Sequence, residues 1–221
     1  MLEGSRSDEK RAVAAKLSRL LVIATAIFAV SSTSALAAGV QDKRVAAAPA
    51  PNPIARSSTS LIAPPAACPN QTDPTASPEL QEQAMRCMTE FARAQTGLNE
   101  LSDSPQLDLS AREKGADVLR CDSFSHFACA REFTYWMREV GYLSQPCWHT
   151  GENLAWGSGS YGTVRSIFQA WMRSPGHRHN ILGDYEDLGL SRQAGELDGR
   201  DGADVWTAHF GSHCEGPAGQ D

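Results

Sequence analysis

Apolar and polar positions alternate with helical spacing through the middle of the chain and with strand spacing towards its end. Leu80, Ala84, Cys87, Met88 and Phe91 fall on one face of a helix that Ser77 can cap, Pro78 can open and Gly97 closes. That helix has about five turns. Leu107, Leu109, Ala111, Ala116, Val118 and Leu119 predict a second helix from about Ser110 to Arg120. Phe133, Trp136, Met137 and Val140 give a third over Ala130 to Val140, with Gly141 at its end. A fourth runs from Thr163 to Arg173, with Val164, Ile167, Phe168 and Trp171 inward, and Ser174-Pro175-Gly176 is expected to end it. Glu152 to Trp156 fits a strand or its approach. Leu188 to Arg192 and Val205 to Phe210 read as two further strands, joined by the acidic, Gly-rich loop Gly195 to Asp204. Helices first and strands last predict an α+β domain.

Ahead of this pattern stands a stretch of different character. Five basic residues up to Arg19, the apolar run Leu20 to Val30 and the small residues Ala35-Leu36-Ala37 read as a secretory signal peptide over residues 1–37. The run is well short of the ~20 residues a spanning helix needs, so no stable membrane span is expected after cleavage. Residues 38–78 are rich in Ala, Pro, Ser and Thr and predict a flexible spacer, leaving a domain over 79–215 and a tail over 216–221. A chain of 221 residues, 41% hydrophobic, fits one such domain with an appendage. Beyond residue 37 the formal charge is 15 − 23 = −8. With no basic cluster, nucleic acid and anionic membrane are poor partners. A monomer is expected.

Six cysteines, Cys68, Cys87, Cys121, Cys129, Cys147 and Cys214, all follow the cleavage point and none forms CxxC. An even count in an exported chain predicts disulfides, with about 15 connectivities open to six cysteines. The short separation of Cys121 and Cys129 favours their pairing, which would hold His126 in a tight loop. Cys68 could tie the end of the spacer to the domain.

The candidate chemistry lies in three short segments: SFSHF with His126, TGENLAWG with Glu152 and Asn153, and WMRSPGHRHNIL with His177. Side chains set at element ends are where sites are built. His149, His179, His209 and His213 are expected to be solvated.

These segments are similar to those of the CAP superfamily, the group of cysteine-rich secretory, antigen 5 and pathogenesis-related-1 proteins, in its bacterial exported branch. The resemblance rests on GL-x-x-L at Gly97 to Leu101, SFSH at Ser123 to His126, GEN at Gly151 to Asn153 and WM-x-SPGH-x-x-NIL at Trp171 to Leu182. LGL at Leu188 to Leu190 and WT-x-x-FG at Trp206 to Gly211 complete it. It implies a three-layer α-β-α sandwich with a central antiparallel sheet and an open cleft lined by His126, His177 and Glu152. Asn153 and Ser174 are placed at the lining of that cleft, with Asn153 expected to bond backbone in a turn. The chain departs from the family pattern at Ser174, where some branches carry a second glutamate, at Glu90 near Phe91, and at Ala208, beside His209, where a glutamine is frequent.

Two imidazoles and one carboxylate are the ligand set of an open site for Zn2+ or another divalent cation, and an exposed set would hold the ion weakly. Ser174, His177 and Glu152 have the residue types of a nucleophilic triad, but Ser174 precedes a proline at a helix end with no nucleophile elbow. A secreted module binding a metal or small extracellular ligand is therefore favoured over catalysis. The alternative is a metal-assisted hydrolase in which Glu152 ligates the ion or serves as general base. Lipid or sterol binding is implied only by resemblance to eukaryotic relatives.

Overall fold

The computed structural model describes residues 60–214. The expected signal peptide, most of the spacer and the expected tail lie outside them. In chain order the elements are α1 (Pro78–Gln95), β1 (Ser102–Asp103), α2 (Pro105–Arg120), α3 (Tyr135–Glu139), β2 (Trp148–Ser158), α4 (Val164–Arg173), α5 (Pro175–Ile181), β3 (Asp187–Leu197) and β4 (Arg200–His213).

The helix starts follow from capping chemistry. Ser77 Oγ accepts the Leu80 amide at 3.4 Å, Ser104 Oγ accepts that of Leu107 at 3.3 Å, and Thr163 Oγ1 accepts that of Ser166 at 3.4 Å. In α1 and α2 a proline follows the cap at the first position, where its missing N–H costs nothing. α2 thus begins at Pro105 rather than near Ser110, on the same Ser-Pro signature that opens α1.

One expected helix is corrected here. The third helix is confined to Tyr135–Glu139, because Cys129 and Ala130 hold left-handed φ values of 56° and 58° that no continuing α-helix accommodates. The Ser174-Pro175-Gly176 segment ends the fourth helix, as expected, and a further short helix, which the apolar spacing did not predict, follows at once. Ser174 is extended and breaks α4, and Pro175 then opens α5, so His177 stands on a short helix.

The sheet has the order β1-β3-β4-β2. β3, β4 and β2 are antiparallel neighbours, while the two-residue β1 joins β3 in parallel. Most of the loop expected between β3 and β4 is ladder. Pairing continues to Leu197↔Arg200, and Asp198 and Gly199, with φ of 53° and 67°, make the turn.

Strand alternation sends the core residues to two sides. Leu188, Leu190, Trp206, Ala208 and Phe210 pack with Met85, Met88, Phe168, Trp171 and Ile181 of α1, α4 and α5. Ala203, Val205 and Leu197 meet Val118 and Leu119 of α2 on the opposite face. The result is the α-β-α sandwich. Three disulfides, Cys68–Cys87, Cys121–Cys129 and Cys147–Cys214, fasten the periphery.

Residues 60–77, assigned to the flexible spacer by composition, pack against the domain. Ala63, Cys68 and Gln71 are buried, and Arg165 donates to the Ala63 carbonyl at 2.9 Å and to Gln71 Oε1 at 2.5 Å. The bridge to α1 and these hydrogen bonds hold a segment with few large apolar side chains.

No helix among the described residues is long and apolar enough to cross a membrane.

Candidate functional site

The GEN segment lies on β2, where successive side chains point to opposite faces. Each of its three residues does something different. Gly151 faces α5, and a Cβ there would lie 2.6 Å from Tyr185 Oη and 3.0 Å from Asn180 Oδ1. The missing side chain lets Asn180 approach, so that its Nδ2 donates to the Glu152 carbonyl at 3.1 Å and to Asn153 Oδ1 at 2.9 Å. Asn153, on the same face, donates from Nδ2 to the His177 carbonyl at 3.0 Å. α5 is thereby docked on β2. Asn153 is fully buried, so it positions the His177 helix rather than lining a surface, and its backbone partner lies across the fold instead of within a turn.

Glu152 faces the other way, beside its cross-strand partner His209. Gly189 occupies the next place in the same row on β3, and a Cβ there would fall 2.1 Å from the Leu107 carbonyl carbon. Without one, the first turn of α2 rests on the sheet and Ser110, a turn later, meets His209.

These contacts form a continuous polar chain. Ser110 Oγ lies 2.6 Å from His209 Nδ1, His209 Nε2 lies 2.9 Å from Glu152 Oε2, and Glu152 Oε1 lies 2.5 Å from His126 Nδ1. Both carboxylate oxygens are therefore occupied by imidazoles. Lys114, one turn beyond Ser110 and 1% exposed, donates from Nζ to the His126 carbonyl at 2.6 Å. Ser110 and His209 are fully buried, and the Glu152 side chain is 2% exposed; that of His126 is 50% exposed.

The loop carrying His126 is fixed from several sides. The Cys121–Cys129 bridge closes it, as expected, and restriction of the unfolded chain by a loop of that size stabilises by about 2.5 kcal/mol. Fully buried Asp117 accepts from Arg131 Nη1 at 2.8 Å and from Trp136 Nε1 at 2.7 Å, and pairs with Arg120, anchoring the chain beyond the bridge to α2.

Burial is the largest influence on the Glu152 carboxyl and would raise its pKa. The hydrogen bonds to His126 and His209 and the positive charges of His209 and Lys114 outweigh it and hold the carboxyl below its ordinary value of 4.5. Burial is also the main cause that lowers Lys114, with Glu152 opposing it. His177 is half-buried, its ring centroid 6.5 Å from that of Trp171. Its pKa is lowered from 6.5, by burial first and then by the charge of His126. His126, in the loop after α2, and His177, on α5, belong to opposite layers of the sandwich.

Both shifts carry the same sign for stability. Glu152 stays ionised in the fold at a pH where the unfolded chain has begun to take up protons, and His177 stays neutral there. Stability should therefore fall as pH drops below about 6.5 through His177, and further below about 4.5 through Glu152. Urea unfolding across this range should show the acid-side loss in the wild type and a shallower one in Glu152→Gln. A wild-type stability that does not change with pH would contradict the arrangement.

The other sequence candidates are distributed as follows. Ser174 is half-buried at the break between α4 and α5, and its side chain does not cap α5. His179 is exposed, as expected. His149 stacks on Tyr185 with ring centroids 4.8 Å apart, and His213 Nε2 donates to the Tyr142 carbonyl at 2.8 Å. His209 corrects the expectation of a solvated ring, since it is the buried centre of the polar chain. Ser110, His209 and Glu152 have the residue types of a nucleophilic relay, yet Ser110 is sealed from solvent and its hydroxyl also lies 3.0 Å from the Leu107 carbonyl. Among the described residues no three His, Cys, Asp or Glu side chains are arranged to hold a metal ion together.

Sequence reasoning missed Ser110, Lys114, His209 and Asn180. A signal existed for two of them. Ser110 and Lys114 share the inward stripe of α2 with Leu107, Ala111 and Val118, where polar side chains need buried partners.

Among solved structures the chain is similar to an outer surface protein from Borrelia burgdorferi, with 20% identity and a TM-score of 0.48 over 59% of this chain and 90% of that one. An extracellular protein containing an SCP domain from Bacillus anthracis aligns with 20% identity and a TM-score of 0.47 over 61% of this chain and 43% of that one. A cysteine-rich secretory protein from Staphylococcus aureus aligns with 17% identity and a TM-score of 0.47, over 62% and 40%. No curated protein matches. Residues 85–210, more than half the chain, match the cysteine-rich secretory protein family, CAP, and the chain belongs to that family.

Proposed function

We propose that this protein is an extracellular binding module that holds a divalent cation, zinc being the natural probe, weakly between the imidazoles of His126 and His177. Glu152 orients His126 rather than ligating the ion. The observation that carries this reading is the disposition of Glu152. Both of its oxygens are engaged by imidazoles and its side chain is 2% exposed, whereas His126, bonded through Nδ1, is half exposed and keeps Nε2 open. A carboxylate bonded to the far nitrogen of a ligating histidine fixes its tautomer and raises its basicity. Two imidazoles are a fitting but incomplete donor set, which suits a weak, exchangeable ion with positions left for water or a small ligand. Such an ion would supply a Lewis acid for ligand oxygens.

The hydrolytic alternative asks Glu152 to take a proton from water. A carboxylate held below its ordinary pKa and bonded at both oxygens is a weak and inaccessible base. Three disulfides favour an oxidising compartment, which supports export, and the N-terminal basic and apolar pattern would direct it.

Thermal unfolding with zinc and with a chelator tests the cation site. Zinc should raise the melting temperature of the wild type and leave His126→Ala/His177→Ala unchanged. An equal rise in both would remove these two residues from the site.

A further inference from the structure

The residues of α5 divide by helical spacing. Asn180 and Ile181 turn towards β2 and the core, while Pro175, Arg178 and His179, at i, i+3 and i+4, are exposed and Leu182, at i+7, is half-buried with one side against the core. With Met172 and Arg173 from the end of α4, these four line a hollow of about 420 Å³. It is separate from the His126–His177 site.

The charge around this hollow is unlike that of the rest of the chain. No Asp or Glu occurs between Glu152 and Asp184, in a sequence that carries 26 acidic residues. Arg86, Arg131 and Arg192 are paired with carboxylates. Arg173 and Arg178 are exposed and have no carboxylate partner among the described residues. Two unpaired guanidiniums beside an imidazole therefore border apolar surface from Met172, Pro175 and Leu182.

We propose that this hollow binds a phosphate group carried on a short hydrocarbon. A guanidinium presents a planar fork of donors that matches phosphate oxygens, and two of them with His179 offer more donors than a single carboxylate can accept. Met172 and Leu182, each packed on one side against the core, leave apolar surface in the hollow for an adjoining alkyl group. The hollow reads a monophosphate ester, from a soluble metabolite or from the headgroup of an anionic lipid.

The test titrates the protein with octyl phosphate below its aggregation threshold, with inorganic phosphate and with octyl glucoside, in chelator so that a bound cation plays no part. Arginine Nε–H resonances report the site. Octyl phosphate should shift Arg173 and Arg178 saturably, inorganic phosphate should bind at least about tenfold more weakly, and octyl glucoside should leave both unmoved. Arg173→Gln and Arg178→Gln should each weaken octyl phosphate by at least about tenfold while the melting temperature is kept. Sedimentation with phosphatidic acid vesicles that octyl phosphate competes away would assign the headgroup as source; binding of octyl phosphate without sedimentation would assign a soluble ester. Octyl phosphate that shifts neither arginine, or binds the double variant like the wild type, would overturn the proposal.

Discussion

Glu152→Ala is expected to destabilise the domain by about 3–5 kcal/mol, the range for removing one partner of a buried charged network. The side chain lost is the acceptor for two imidazoles and a countercharge to Lys114. Alanine replaces it with nothing that can take those hydrogen bonds, and His209 and Lys114 are too deeply buried to find water instead. For a domain of this size the melting temperature should fall by roughly 6–20 °C. Urea unfolding checks the free energy. A loss below about 1 kcal/mol would mean that Lys114 and His209 do not depend on Glu152.

Gly189→Ala should be comparably severe for a different reason. The new Cβ would lie 2.1 Å from the Leu107 carbonyl carbon and 2.4 Å from the Asp108 nitrogen, and both obstacles are backbone. No rotamer change relieves that contact, so α2 must lift from the sheet. The shift would strain the Ser110–His209 bond and the 2.8 Å bond from the Leu190 amide to Asp108 Oδ1. A cost of about 3 kcal/mol or more is expected, at the upper end for overpacking. Gly176→Ala is the matched control, because a Cβ at that helical position meets nothing within 4 Å. It should be neutral or stabilise by up to about 1 kcal/mol. Equal tolerance of both substitutions would contradict the close approach of α2 to β3.

The contrast between these glycines shows what could be read from the chain. α1 and α4 were legible because cap, proline and apolar spacing agree, as at Ser77-Pro78. The start of α2 carries the same Ser-Pro signal at Ser104-Pro105, ahead of the stretch where apolar spacing is densest. The third helix was overextended because periodicity cannot register the left-handed backbone at Cys129 and Ala130. His126, Glu152 and His177 were recognisable from residue type and family resemblance. Their roles were not, since the assignment of both Glu152 oxygens depends on the register that places His209 beside it. A histidine at the end of an apolar strand has the same local pattern whether solvated or buried. Only pairing across 57 residues of sequence distinguishes the two.

The division of labour among the histidines is most directly tested by long-range proton–nitrogen NMR of the imidazole rings with and without zinc. Zinc should move His126 Nε2 and a ring nitrogen of His177, leave His126 Nδ1 bonded to Glu152, and leave the rings of His149, His179, His209 and His213 unmoved. Glu152→Gln should weaken zinc binding by about 10- to 100-fold without changing which rings respond, the expectation for an orienting carboxylate. Zinc shifts at His209, or none at His126 and His177, would contradict the account.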